Sequence, residues 1–148
     1  MADLCAATGM AAAESEGHCP EGAARVVADA YRRAADELFD EYAAAFRPAD
    51  SWPDNLGAAL RNLLRRLADE PATAHLVYVA PVGGDEQLRD IRELFRARYI
   101  ALLIDEQQRD ADADVDAPLP SLQVELLVGA LFRTISELVH DGRAPELP

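Results

Sequence analysis

The sequence predicts an all-α fold, a helical bundle built on one long helix. Three observations carry that expectation. Apolar residues recur at spacings of three and four in long windows, the signature of a helix with one buried face. Pro and Gly fall mostly between those windows rather than inside them. No pair of alternating apolar segments is available to form a sheet. About five main helices are expected, with a short helix before them. A chain of 148 residues fits one packed body with its own core.

The long helix is expected over residues 21–47, about seven turns and ~40 Å. Val27, Tyr31, Ala34, Leu38, Tyr42 and Ala45, with Phe46 adjoining, form its apolar stripe. Arg32–Asp36 and Arg33–Glu37 stand one turn apart and are expected to pair. Pro20 suits a first helical position, Glu21 suits the positive helix end, and Pro48 stops the helix. Before it, residues 2–8 read as a short helix ended by Gly9, and residues 10–19 show no stripe to bury.

Ser51 is a candidate N-cap for the next helix, with Asp54 as its partner in the first turn. Leu56, Leu60, Leu63, Leu64 and Leu67 form that helix's apolar face, to about Asp69. Residues 71–80 carry the strand-like run LVYV. They are expected to be helical, because nothing offers that run a strand partner. Pro81, Gly83 and Gly84 form a loop. A helix follows to about Arg109, with Leu88, Ile91, Leu94, Phe95, Tyr99, Leu102 and Leu103 inward. Residues 110–119 are an acidic linker. Pro120 opens the last helix, whose wide apolar face holds Leu122, Leu126, Leu127, Ala130, Leu131, Ile135, Leu138 and Val139. Gly142 ends it, and residues 143–148 are a tail.

Charge and composition exclude several functions. The net charge is −13, and all 14 basic residues are Arg, interleaved with acids. Such a chain repels a phosphate backbone unless it carries a local basic face, and none is evident. The all-Arg usage fits a high-GC bacterial gene. No apolar run reaches the ~20 residues of a membrane span, and no secretory signal is evident. The expected compartment is the cytoplasm. Cys5 and Cys19 are too few for a disulfide scaffold and lack CxxC spacing.

No catalytic constellation stands out, and no enzyme activity is expected. Asp110, Asp112, Asp114 and Asp116 alternate like calcium ligands, but an EF-hand loop from Asp110 needs Gly and Glu where Val115 and Ser121 stand. Starting at Asp112 puts Ala117 and Gln123 there instead. Glu137 and His140 make a single Glu-x-x-His pair, whereas di-iron bundles need two. His18 beside Cys19 is a weak ligand pair, and His75 packs or faces solvent. No metal or cofactor is therefore expected. GxSxG, Walker and GxGxxG patterns are absent. The nine aromatic residues either fill the core or line a ligand pocket, and the sequence does not separate the two.

The order of elements resembles a TetR/AcrR-type transcriptional regulator. ADLCAATG at 2–9, followed by Met10, resembles the first helix and turn of that family's helix-turn-helix. His18–Cys19–Pro20 resembles the segment after its recognition helix. AYRRAADELFDEY resembles the start of its long connecting helix. Ser51–Trp52 before a Leu-rich helix, the Glu70–Pro71 break, and VELLVGALFRTISELV at 124–139 resemble its ligand-binding and dimerisation region.

The resemblance implies two parts: residues 1–20 as a helix-turn-helix remnant, and residues 21–148 as a helical ligand-binding and dimerisation domain. It implies ligand contacts on Tyr42, Leu60, Leu64, Phe95, Tyr99 and Phe132, with a small apolar ligand. It implies homodimer or heterodimer contacts on Leu127, Leu131, Ile135 and Leu138 of the 120–141 helix. The family's first helix is expected to be missing before Met1, and its last one after residue 148. AAAESEG stands where a recognition helix carries basic and aromatic residues, so DNA binding is expected to be impaired. The alternative expectation is a non-DNA-binding interaction module that pairs with a full-length regulator.

Overall fold

The computed structural model describes residues 20–48, 50–83, 86–111 and 119–147. The expected 2–8 helix and the helix-turn-helix remnant lie outside them, as do Cys5, His18, Cys19 and most of the acidic linker. The described residues form an all-α bundle: α1 (Pro20–Ala43), α2 (Trp52–Asp69), α3 (Pro71–Ala74), α4 (Glu86–Ala111) and α5 (Ser121–His140). α3 runs on into one π-helical turn, His75–Val79, and a 3-10 turn, Ala144–Glu146, follows α5. Among the described residues there is no strand.

Helix α1 packs against both α2 and α4, and α5 closes the bundle against α4 and the π turn. Ala28, Tyr31, Ala35, Leu38 and Tyr42 are the buried row of α1. The helix ends at Ala43, earlier than expected. Ala45 and Phe46 donate to Tyr42 and Ala43 at 3.2 and 3.1 Å, tight turns that close it. The cause lies on α2. The buried Asn55 amide accepts from the Arg47 N–H and donates to the Arg47 carbonyl, both at 2.9 Å, which draws Arg47 out of the helix. Ala45 and Phe46 still pack against the core from the turn.

Helix α2 begins as expected. The Ser51 hydroxyl accepts from the Asp54 N–H at 3.4 Å and donates to the Asp54 carboxylate at 2.7 Å. Its fully inward row is Asn55, Ala59, Leu63 and Leu67, with Leu56, Leu60 and Leu64 half-buried beside it.

The LVYV run is helical, but wound as a π turn in which the Ala80 N–H donates to the His75 carbonyl at 3.0 Å. The wider turn sends both Val77 and Tyr78 inward, at 1% and 0% exposure. Beyond it the helix stops, so the Tyr78 carbonyl has no intrahelical donor. The Ser136 hydroxyl of α5 lies 2.8 Å from it and 2.8 Å from the Phe132 carbonyl.

Three expectations are corrected. Arg32 pairs back with Asp29 at 2.9 Å, while Asp36 pairs across the bundle with Arg98. Leu94 stands outward at 69% exposure, because the inward row of α4 is Leu88, Ile91, Phe95, Tyr99 and Leu103. The inward row of α5 is Val124, Val128, Phe132, Ile135 and Val139, leaving Leu122 and Leu126 outward. α5 carries apolar residues on its outer side as well, Leu122, Leu126 and Leu127. Burying a Val or a Leu is worth about 1.5–3 kcal/mol alike, so periodicity did not choose between its two rows. The residues after α5 are also more than a tail: Ala144 and Leu147 are buried.

Candidate functional site: a buried tyrosine cluster

The inward rows of α1, the π turn, α4 and α5 converge on rings. Tyr99 is central, with Tyr42 at 4.8 Å, Phe95 at 5.0 Å, Phe39 at 5.3 Å and Phe132 at 5.6 Å between ring centroids. Tyr78 meets Phe132 at 5.2 Å, and Phe46 meets Tyr42 at 5.6 Å. Most of these pairs are edge-on or tilted, the geometry the ring quadrupole favours. Spacings of three and four on separate helices place the rings at one depth, and the π turn brings Tyr78 to the same level.

Four of the six expected ligand contacts, Tyr42, Phe95, Tyr99 and Phe132, therefore lie in one cluster. Leu60 and Leu64 sit on α2, half-buried against the core. Tyr31 and Tyr78 were not among the expected ligand contacts, yet both are fully buried near this cluster. The Tyr31, Tyr78 and Tyr99 hydroxyls are buried, those of Tyr78 and Tyr99 beside one another. The Nε–H of Arg92 on α4 is buried too. A tyrosine inside an apolar run (HLVYV) was the only sequence signal. Nothing in that run announces that its hydroxyl meets others.

Burial raises the pKa of all four tyrosines above the ordinary 10.0. At Tyr78 burial is the main cause, and the neighbouring Tyr99 hydroxyl opposes it by stabilising the phenolate. Tyr99 is raised by burial first, then by the nearness of Tyr78 and Tyr42. The Arg92 charge pulls down on both Tyr31 and Tyr78, which puts the guanidinium in electrostatic reach of both. The phenols stay neutral at physiological pH. The Tyr78 and Tyr99 hydroxyls act on each other as hydrogen-bond partners, each able to donate and accept.

Beside this cluster an open groove of about 460 Å³ runs between α1 and α4. Ile91, Leu94 and Phe95 give it an apolar floor, and Arg32, Asp36, Asp90 and Arg98 line its charged side. Arg98 is held in place by Asp36, by Asp40 at 3.7 Å and by the Phe39 ring at 4.1 Å. Phe95 belongs to both features, facing the groove and touching Tyr99 edge-on. A smaller polar recess of about 70 Å³ lies at the other end of α4, by Trp52, Asn55, Glu106 and Asp110.

The expected dimer contacts divide. Ile135 is 1% exposed and belongs to the core of the single chain. Leu131 and Leu138 are half-buried against that core. Leu127 faces outward at 41%, in company with Leu119, Leu122 and Leu126. Leu122 and Leu126, one turn apart, thus stand outward together on the first half of α5. Among the described residues no group of three or more His, Cys, Asp or Glu is placed to hold a metal ion. No helix among them is long and apolar enough to cross a membrane. No family model matches the chain, and neither a curated protein nor a solved structure matches it.

Proposed function

We propose that this chain is a small-molecule-sensing helical domain of the TetR/AcrR regulator type, with impaired DNA binding of its own. The observation that carries the reading is the buried aromatic cluster, in which α1 contributes Phe39 and Tyr42 to the same group of rings as α4, α5 and the π turn. A ligand seated there would touch the helix that the resemblance equates with the connecting helix. A shift at Tyr99 or Tyr78 would bear on Tyr31, nearer the start of α1. The net charge of −13 supports the second half of the proposal, since phosphate contacts need a basic face.

The test is a mobility-shift titration at low salt, using DNA from upstream of the gene, paired with a thermal-shift screen of small aromatic compounds. The expected result is a raised unfolding temperature with some compounds and no sequence-specific shift of DNA. Specific DNA retention by the chain alone would overturn the DNA half, and an unmoved transition across the screen would overturn the sensor half.

A second reading is favoured by Leu119, Leu122, Leu126 and Leu127, which stand 41–66% exposed at the start of α5. Apolar side chains grouped this way mark a pairing surface. On this reading the chain is an interaction module that pairs with itself or with a full-length regulator. Light scattering checks it. The native chain is expected to run as a dimer and the Leu122→Glu/Leu126→Glu variant as a monomer. A native monomer at micromolar concentration would exclude self-pairing.

A further inference from the structure

We infer that the open groove between α1 and α4 binds a small aromatic cation, an apolar ring body whose single ammonium group pairs with Asp90. The inference rests on the sensor reading and names the ligand's place and class.

The groove follows from what the two helices put there. α1 contributes the small Ala35, and α4 contributes Ile91, Leu94 and Phe95 at helical spacing, so the floor is apolar and recessed. Leu94 lines it while 69% exposed, an apolar surface offered to solvent. The volume of about 460 Å³ falls within the ~300–1,000 Å³ of small-molecule sites. An open groove of that size suits a flat body laid along the floor. Phe95 is the link inward. It is 2% exposed, lines the groove and meets the Tyr99 ring edge-on at 5.0 Å. A ligand on the floor therefore bears on the aromatic cluster without entering it.

The charges choose the ligand's sign. Arg32 is engaged by Asp29 at 2.9 Å, and Arg98 by Asp36, by Asp40 at 3.7 Å and by the Phe39 ring. Asp90 also lines the groove, and it has no ion pair among the described residues, which include all 14 Arg of the chain. Taking the lining groups with their partners, two guanidiniums face four carboxylates: Asp29, Asp36, Asp40 and Asp90. A cation completes the pairing at Asp90 and follows the field of a chain with net charge −13. A ligand carboxylate would have to displace Asp29 or Asp36 from its Arg, against that field. A neutral body of the same shape keeps the floor contacts and lacks the ion pair.

The chain has four isoleucines, Ile91, Ile100, Ile104 and Ile135, and of these only Ile91 lines the groove. Methyl-labelled isoleucine thus gives a sparse NMR spectrum with internal controls. The probes are naphthylmethylammonium, naphthylmethanol and naphthoate, each titrated into the full chain at neutral pH and low salt. The ammonium is expected to move the Ile91 signal most. It is expected to bind about fivefold tighter than the alcohol, the upper range for an exposed ion pair, with naphthoate weakest. Asp90→Asn is expected to bring the ammonium down to the alcohol's affinity and to leave the alcohol as it was. Leu94→Ser is expected to weaken both. Asp90 and Leu94 are exposed, so circular dichroism should show the fold unchanged in each variant. If the alcohol or naphthoate binds at Ile91 as tightly as the ammonium, or if Asp90→Asn leaves the ammonium's advantage intact, the cation class is wrong and the sensor reading stands. If no probe moves Ile91, the groove proposal is overturned, and the thermal-shift screen decides the sensor reading separately.

Discussion

Asn55 shows how much one side chain determines here. It is 4% exposed, and its amide joins the Arg47 N–H, the Arg47 carbonyl and the Asp50 carbonyl at 2.9, 2.9 and 3.2 Å. Those three contacts set where α1 stops and how the chain turns into α2. Asn55→Ala leaves these backbone groups without their partner and is expected to cost about 2 kcal/mol, read as a lower urea midpoint at unchanged slope. The tyrosines give a second expectation, in pH. Their folded pKa values lie above the ordinary 10.0, because burial disfavours the phenolate. The unfolded chain therefore loses protons first. The stability they contribute is complete below pH 10 and falls as pH rises above it, by up to ~1.4 kcal/mol per tyrosine per pH unit. Thermal unfolding followed from pH 8 to about pH 11 is expected to show a falling transition. Tyrosinate absorbance should rise together with unfolding, and ionisation of an intact fold would contradict the burial.

At the scale of elements, the π turn and α5 depend on each other. The wider turn directs Val77 and Tyr78 inward, and in exchange leaves a carbonyl that Ser136 of α5 reaches. Ser136→Ala removes that hydroxyl and is expected to cost about 1 kcal/mol. It should also raise hydrogen exchange in residues 75–83 more than in α4, because the lost contact belongs to the turn. Uniform exchange along the chain would place the effect elsewhere. The end of α5 was fully legible from its residues. Gly142 adopts a φ of 72°. It donates to Val139 at 3.1 Å, and Arg143 donates to Leu138 at 2.8 Å, a Schellman closure. The start of α2, capped by Ser51, was equally legible. Caps are local chemistry, so the sequence states them directly.

Across the whole molecule, charge works against the fold. The net charge is −13, and the ion pairs that offset it are mostly at the surface. Exposed pairs contribute ~0–1 kcal/mol each and are screened by salt, and self-repulsion is screened too. Repulsion should dominate at this net charge. Raising sodium chloride from low ionic strength to ~0.3 M, where the Debye length falls well below 10 Å, is expected to raise the unfolding temperature by a few degrees. A fall would mean that ion pairs such as Arg98–Asp36 outweigh the excess of acids. Arg98 is the pair most able to do so, since it joins α1 to α4 and lies over Phe39.

The sequence by itself determined the helices, their order and most of their ends, because periodicity, caps and breakers act within a few residues. It also singled out Tyr42, Phe95, Tyr99 and Phe132 as inward. It missed the early end of α1, which a side chain on α2 decides, and the partner of Asp36, which lies 62 residues away. It could not choose between the two apolar rows of α5, as both satisfy the same period. Only tertiary structure decided that Tyr42, Tyr78, Phe95, Tyr99 and Phe132 share one place. Their meeting depends on helix packing and on the extra residue of a π turn, and neither leaves a mark in local spacing. That meeting turns an ordinary aromatic core into a candidate site.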